Sequence, residues 1–176
     1  RPMSGSPIGS TPRVWARRWA FLALLVVAAL VAFLPSVSSD RSLLVVSIGD
    51  SVTYDADPGL RAALEATGSV VVDTRSIGGV GLLRPGIDDY LADALSDDPA
   101  VVVVMLGGWD LGEIVADPAA YAIRLDEVAD RLTADGAHVV WLAMPPTPPG
   151  EGIEEARQTA NGLFGELADR RTDVDY

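Results

Sequence analysis

The 176 residues suffice for one domain with a sizeable core and leave little room for a second. The absence of cysteine excludes disulfides, thiolate catalysis and thiolate metal sites, and the absence of lysine excludes a Schiff-base residue or a lysine phosphate clamp. The net charge of −12 is unevenly spread: residues 1–39 hold four arginines and no acid, whereas from Asp40 onward 9 arginines face 25 acids, a balance unsuited to nucleic acid or anionic lipid headgroups.

Residues 1–18 begin as a stretch rich in Ser, Pro and Gly without apolar periodicity and end in Arg13, Arg17 and Arg18, the pattern of a disordered basic tail. Sixteen uncharged, mostly large apolar residues follow from Trp19 to Leu34, stopped by Pro35. The run is slightly short of the roughly 20 residues that span a bilayer. Basic sequence before it and acidic sequence after it predict a membrane anchor over 19–35, with the amino end inside and the remainder outside the cell. The rival expectation is a cleaved signal with Ser36-Val37-Ser38 as its small-x-small site, giving a secreted protein. A buried core helix is disfavoured, because a helix apolar all round at the chain edge finds no partner there. Residues 36–42 then form a linker, and 43–176 form the folded domain.

Leu43-Leu44-Val45-Val46-Ser47-Ile48 is an apolar run with no polar face, as expected of a strand buried on both sides, and it ends in Gly49-Asp50-Ser51. Pro58-Gly59 is read as a turn or first helical turn, with Leu60, Ala63 and Leu64 at helical spacing up to Gly68. Val70-Val71-Val72 is a second strand, followed by a loop over 73–81 with glycines at 78, 79 and 81. From Pro85, a favoured first helical residue, Ile87, Tyr90, Leu91, Ala94 and Leu95 mark one helix face. Val101-Val102-Val103-Val104-Met105-Leu106 is the strongest strand signal, ending in Gly107-Gly108-Trp109-Asp110. Asp117-Pro118 caps a long helix carrying Tyr121, Leu125, Val128 and Leu132 and closed by Gly136. A fourth strand runs from His138 to Met144, a helix follows with Ala156, Ala160, Leu163 and Leu167 on one side, and Val174 opens a fifth strand. Strands alternating with helices at this spacing predict a three-layer α/β/α sandwich with a mostly parallel sheet.

In such a fold the carboxyl ends of the strands deliver polar residues into the ligand crevice. Ser51 is therefore either a nucleophile, with backbone N–H groups nearby for an oxyanion, or, with Asp50, a helix cap. The only histidine, His138, starts a strand and so falls at the edge away from the crevice. This excludes an in-chain Ser-His pair and a multi-histidine zinc site. Asp50, Asp55, Asp57, Asp73, Asp110 and Glu113 lie near the crevice, but their spacing gives no specific support for a metal, and no metal or cofactor is expected. Gly78-Gly79-Val80-Gly81 follows the second strand and lacks the dinucleotide order of glycines, and there is no phosphate-loop motif.

Gly49-Asp50-Ser51-Val52 after a hydrophobic strand resembles the first block of the SGNH hydrolases, the GDSL-like esterases and lipases. Thr74 to Gly79 is similar to their second block, and Gly107-Gly108-Trp109-Asp110 to their third. The resemblance implies the flavodoxin-like SGNH fold and a serine esterase acting on O-acyl esters through an acyl-serine. It makes Ser51 the nucleophile and an oxyanion donor, Gly79 the second donor, and Asp50 and Asp110 organisers of the loops. Trp109 replaces the asparagine whose side chain would donate to the oxyanion. Its indole is also a donor but differs in reach, and a lost donor in such a hole costs about 3 kcal/mol. Third blocks with tryptophan are similar to those of SGNH domains associated with bacterial membrane acyltransferases, which implies acetyl transfer to a surface polysaccharide, with a membrane acyltransferase as partner, as the alternative. The family's closing Asp-x-x-His block does not occur up to Tyr176, so either a longer chain supplies the histidine or the domain is a non-catalytic glycan- or lipid-binding module.

Overall fold

The computed structural model describes residues 42–147 and 151–176; the basic tail, the apolar run and most of the linker lie outside them. Five parallel strands form one sheet in the order β2-β1-β3-β4-β5: β1 (Leu43–Gly49), β2 (Val70–Thr74), β3 (Val101–Met105), β4 (His138–Trp141) and β5 (Val174–Asp175). β-branched side chains fill this pleated surface, and both faces of the central strands are apolar because helices cover both. This is the three-layer sandwich of flavodoxin-like topology.

Among the described residues the helices are α1 (Ser51–Glu65), α2 (Ile87–Leu95), α3 (Leu111–Ala116), α4 (Pro118–Thr133) and α5 (Glu154–Arg170), with a 3₁₀ turn at Gly108–Asp110. Val46, Ile48, Val102, Val104, Val139 and Trp141 pack with α2, α4 and α5 in the larger core. Val45, Val72 and Val103 form the smaller one on the opposite face, against Leu60 and Leu64 of α1. The chain steps from β1 outward to β2, then returns past β1 to β3. That reversal places the topological switch point at the carboxyl ends of β1 and β3, where open α/β sheets bind ligands.

Two expectations are corrected and one element is added. The first helix begins at Ser51 rather than near Pro58, which sits inside it. Proline removes one N–H from the ladder, but this ring is exposed and the helix runs through it. α1 was hidden from apolar periodicity because, of its 15 residues, only Thr53 and Asp57 are buried. A short helix, α3, follows the third block, and β4 ends at Trp141 instead of reaching Met144. Asp117 does cap α4, its carboxylate accepting the Ala120 N–H at 3.0 Å, with Pro118 in the first turn. At the edge strand, the Glu65 carboxylate accepts the Val72 N–H at 3.2 Å and Arg61 donates to Thr74 Oγ1 at 2.9 Å, so α1 guards β2.

Candidate active site

The three sequence blocks meet at the switch point. The first is the turn from β1 into α1. Asp50 is the helix cap, its carboxylate accepting the Val52 N–H at 2.9 Å. Ser51 follows as the first helical residue, exposed, and its N–H has by position no intrahelical partner. The positive end of the α1 dipole thus lies where negative charge would develop on a group attacked by Ser51. Thr53 Oγ1 donates to the Met105 carbonyl at 3.0 Å, tying the first turn to the end of β3.

The third block reaches the first through close backbone packing. Gly107 has φ +132, a conformation that L side chains rarely adopt, and the aromatic ring of Phe164 closes the space a Cβ would need. A Cβ on Gly108 would lie 2.8 Å from Asp50 Oδ2. The two glycines therefore do different work, one shaping the turn and the other admitting Asp50.

Asp110 joins the third block to the second. It is fully buried, and its carboxylate accepts the N–H groups of Leu82 at 2.6 Å and Leu83 at 3.3 Å and the Tyr121 hydroxyl at 3.3 Å. Gly81 packs so closely that a Cβ there would sit 2.5 Å from Asp110 Oδ1. Arg84 adds a second tie, donating to the Trp109 carbonyl and to Glu113.

Tyr90 of α2 joins the second block to the first. Its hydroxyl accepts the Gly49 N–H at 2.9 Å and has the Arg75 carbonyl at 2.7 Å as acceptor. Arg75 N–H to Ser47 O (2.8 Å) and Ile77 N–H to Gly49 O (2.9 Å) extend the β1–β2 ladder into the second loop. The blocks thus form a closed ring, each held to the other two.

Burial raises the Asp50 and Asp110 carboxyls above their usual 3.8, against the hydrogen bonds that favour their charged forms. It pushes the Tyr90 hydroxyl up to about 12 and raises Tyr121 as well, with Asp110's charge reinforcing the latter. Both phenols are therefore hydrogen-bonding groups at neutral pH.

A crevice of about 360 Å³ opens beside Ser51, between the α1 and third-block residues Asp50, Val52 and Trp109 and the loop after β4, Met144 to Thr147. Trp109 is half exposed at its wall. A cavity of about 440 Å³ lies at the other sheet edge, near Leu95, Pro99 and Gly136, where the lining offers only the carboxylates of Asp98 and Asp135. Only the smaller space combines a hydroxyl with a helix N-terminus.

The chain's similarity to known proteins matches this geometry. The family described as a protein of unknown function, DUF459, covers residues 44–176. The chain belongs to DUF459. No curated protein matches the DUF459 chain in sequence. Among solved structures, it is similar to a protein from Desulfitobacterium hafniense assigned to the lipolytic G-D-S-L family, with TM-score 0.62 and 17% identity over 76% of each chain. It is similar to TesA, with TM-score 0.55 and 27% identity over 72% of this chain and 73% of that one. A catalytic mutant of Axe2, an acetylxylan esterase from Geobacillus stearothermophilus, gives TM-score 0.59 and 15% identity over 78% and 77%. These matches place the DUF459 domain in a three-layer α/β/α fold with a mostly parallel sheet.

Of the candidate residues, Asp50, Ser51 and Trp109 line one crevice, with Asp110 buried beneath the third block. Gly79, in the second loop at φ +84, is exposed and not among the crevice-lining residues. His138 lies at the amino end of β4, its Nε2 2.9 Å from Asp175 Oδ2. Tyr90, Tyr121 and Arg84 were missed as site residues. The available signal was a phenol on an apolar helix face, since a buried hydroxyl requires a partner. Among the described residues no group of three or more His, Asp or Glu side chains is arranged to hold a metal ion, and no helix is long and apolar enough to cross a membrane.

Proposed function

We propose that Ser51 is the nucleophile of an acyl-ester hydrolase of the SGNH type. The reading rests on one observation: an exposed serine opens a helix at the switch point, inside a crevice lined by the first and third blocks and the loop after β4. A base takes the Ser51 proton as Oγ bonds to the ester carbonyl carbon. The resulting oxyanion is held by the N–H of Ser51 at the start of α1; Gly79, the second donor that the SGNH resemblance implies, does not line the crevice. Collapse breaks the bond to the alcohol, which leaves with a proton, and water then releases the acid and restores Ser51. Asp50 and Asp110 organise the loops through their hydrogen bonds. The exposed indole of Trp109 takes the asparagine position, as a donor or as a stacking face for the substrate. The run of arginines before the apolar segment 19–34 supports an extracytoplasmic domain, anchored or secreted.

His138 is not the base, because it lies at the amino end of β4, beside Asp175 and away from the crevice. The same observation favours a second reading, in which the crevice binds an ester or glycan without turnover or serves an acyltransferase that passes the acyl group to a sugar hydroxyl. The deciding experiment follows 4-nitrophenol release from 4-nitrophenyl butyrate, with mass analysis of Ser51. A burst with an acyl adduct on Ser51, absent in Ser51→Ala, supports the hydrolase. Binding without any Ser51 adduct refutes it in favour of the binding module.

A further inference from the structure

The crevice beside Ser51 has a wall that the chemistry of ester cleavage does not explain. Its far side is built mostly from Met144, Pro145 and Pro146, with Ile153 at the start of α5, and its near side from Val52 and Trp109, while Thr147, Glu151 and Arg157 line the remainder. The prolines carry no N–H and have a fixed φ, so this stretch offers a ligand few donors and little adaptability. The wall is also held from behind. The Met144 N–H donates to Asn161 Oδ1 at 2.9 Å, and the Met144 carbonyl accepts from Asn161 Nδ2 at 3.1 Å and Arg157 Nη1 at 2.9 Å. Arg157 is itself engaged by Glu154, with Nε to Oε2 at 2.8 Å, so its charge is already paired. A preformed apolar surface continuous with the nucleophile is therefore built into the fold.

Resting on the reading of Ser51 as nucleophile, we infer that this wall receives the acyl arm of the ester and that the preferred acyl group is a medium-length hydrocarbon chain, not acetyl. The acyl arm is the one that stays joined to Ser51 after the alcohol departs, so a surface continuous with Ser51 is matched to it. The volume points the same way. A crevice of about 360 Å³ equals the share of about twelve water molecules in the liquid, room for a chain of about eight carbons, and an acetyl group would leave most of it filled with water against apolar side chains.

The test uses the full chain and the 4-nitrophenyl esters of methyl-, butyl-, hexyl- and decylphosphonic acid. Ser51 Oγ bonds to phosphorus as the 4-nitrophenolate leaves and the hydroxyl proton passes to solvent. The readouts are the rate of nitrophenolate release and the adduct mass on Ser51, with Ser51→Ala as blank. In a crevice open on one side, the rate is expected to rise about twofold per methylene, or about 30-fold from methyl to hexyl, and to level off by decyl. Ile153→Ser should lower the hexyl-to-methyl ratio at least threefold while retaining the fold, because Ile153 is the cap position of α5, has no side-chain cap bond, and serine is a better cap. Labelling of Ser51 at equal or falling rates with chain length overturns the acyl-chain inference alone. No adduct on Ser51 at any length overturns the nucleophile reading and the inference with it.

Discussion

Replacing Tyr90 by phenylalanine tests the ring of loops at its most economical point. The ring keeps its packing in the variant and loses one oxygen. The Gly49 N–H then has no acceptor, and the Arg75 carbonyl loses its donor, both beside a buried side chain. A buried polar group left unpaired costs about 1–3 kcal/mol, so the pair should destabilise the domain by about 2–4 kcal/mol. For a domain of this size that lowers Tm by roughly 6–15 °C. A purely structural role would stop there. Because Gly49 immediately precedes Asp50 and Ser51 while Arg75 opens the second loop, Tyr90→Phe should also slow the reaction of Ser51 with 4-nitrophenyl hexylphosphonate at least tenfold, measured well below the variant's own Tm. Alkaline titration supplies a third readout. The Tyr90 hydroxyl is held up to about 12, above the 10 of an unfolded tyrosine. Its stabilising effect is therefore complete below pH 10 and is lost as pH rises from 10 toward 12. The loss of stability over that interval should be smaller in Tyr90→Phe than in the wild type. Equal Tm, equal Ser51 reactivity and parallel alkaline curves would refute the idea that Tyr90 joins the first and second blocks.

Gly81→Ala should separate the second block from the third: its Cβ would meet Asp110 at 2.5 Å, and the pocket there is closed, so a loss of about 1–3 kcal/mol in urea denaturation is expected. Gly112→Ala, where a Cβ meets nothing within 4 Å, serves as the paired control. Acid titration of stability should show two opposing effects. Asp50 and Asp110 have folded values above 3.8, so they stabilise most below 3.8 and lose that effect as pH rises through their raised values. Asp173 and Glu154 are held down to about 2 by Arg171 and Arg157, so their contributions are present at neutral pH and are lost as pH falls toward 2. With the acidic self-repulsion also relieved on mild acidification, Tm should be higher at mildly acid pH than at neutral or strongly acid pH, and Asp110→Asn should flatten the fall on the neutral side. A Tm that climbs steadily from pH 5 to 8 would contradict this.

The apolar runs at Leu43 and Val101 made the two central strands legible, because a strand covered on both faces has no polar phase to confuse it. The wrong edge for His138 was legible for the same reason, since strand direction in a parallel sheet fixes which end faces the crevice. α1 was not. Its inward residues are Thr53, Asp57 and half-buried leucines, so burial follows hydrogen bonds to Met105 and Ser47 more than an apolar stripe. Phe164, buried against Trp141, holds the inward position that the periodicity gave to its neighbour Leu163, which is only half-buried. The ring contacts were out of reach in principle: Tyr90 and Gly49 are separated by 41 residues, and nothing in local pattern says which backbone group a buried phenol will find.

The hold that Asn161 and Arg157 keep on Met144 has a bearing on how such a protein could change. Its anchors belong to α5 and the loop after β4, whereas the ring binding Ser51 draws on β1, β3, α2 and α4. Mutations can therefore reshape the acyl wall by drift, one residue at a time, while the ring tolerates only paired changes. Within DUF459, diversity in substrate would accumulate between Met144 and Ile153 well before it reached Asp50 or Asp110.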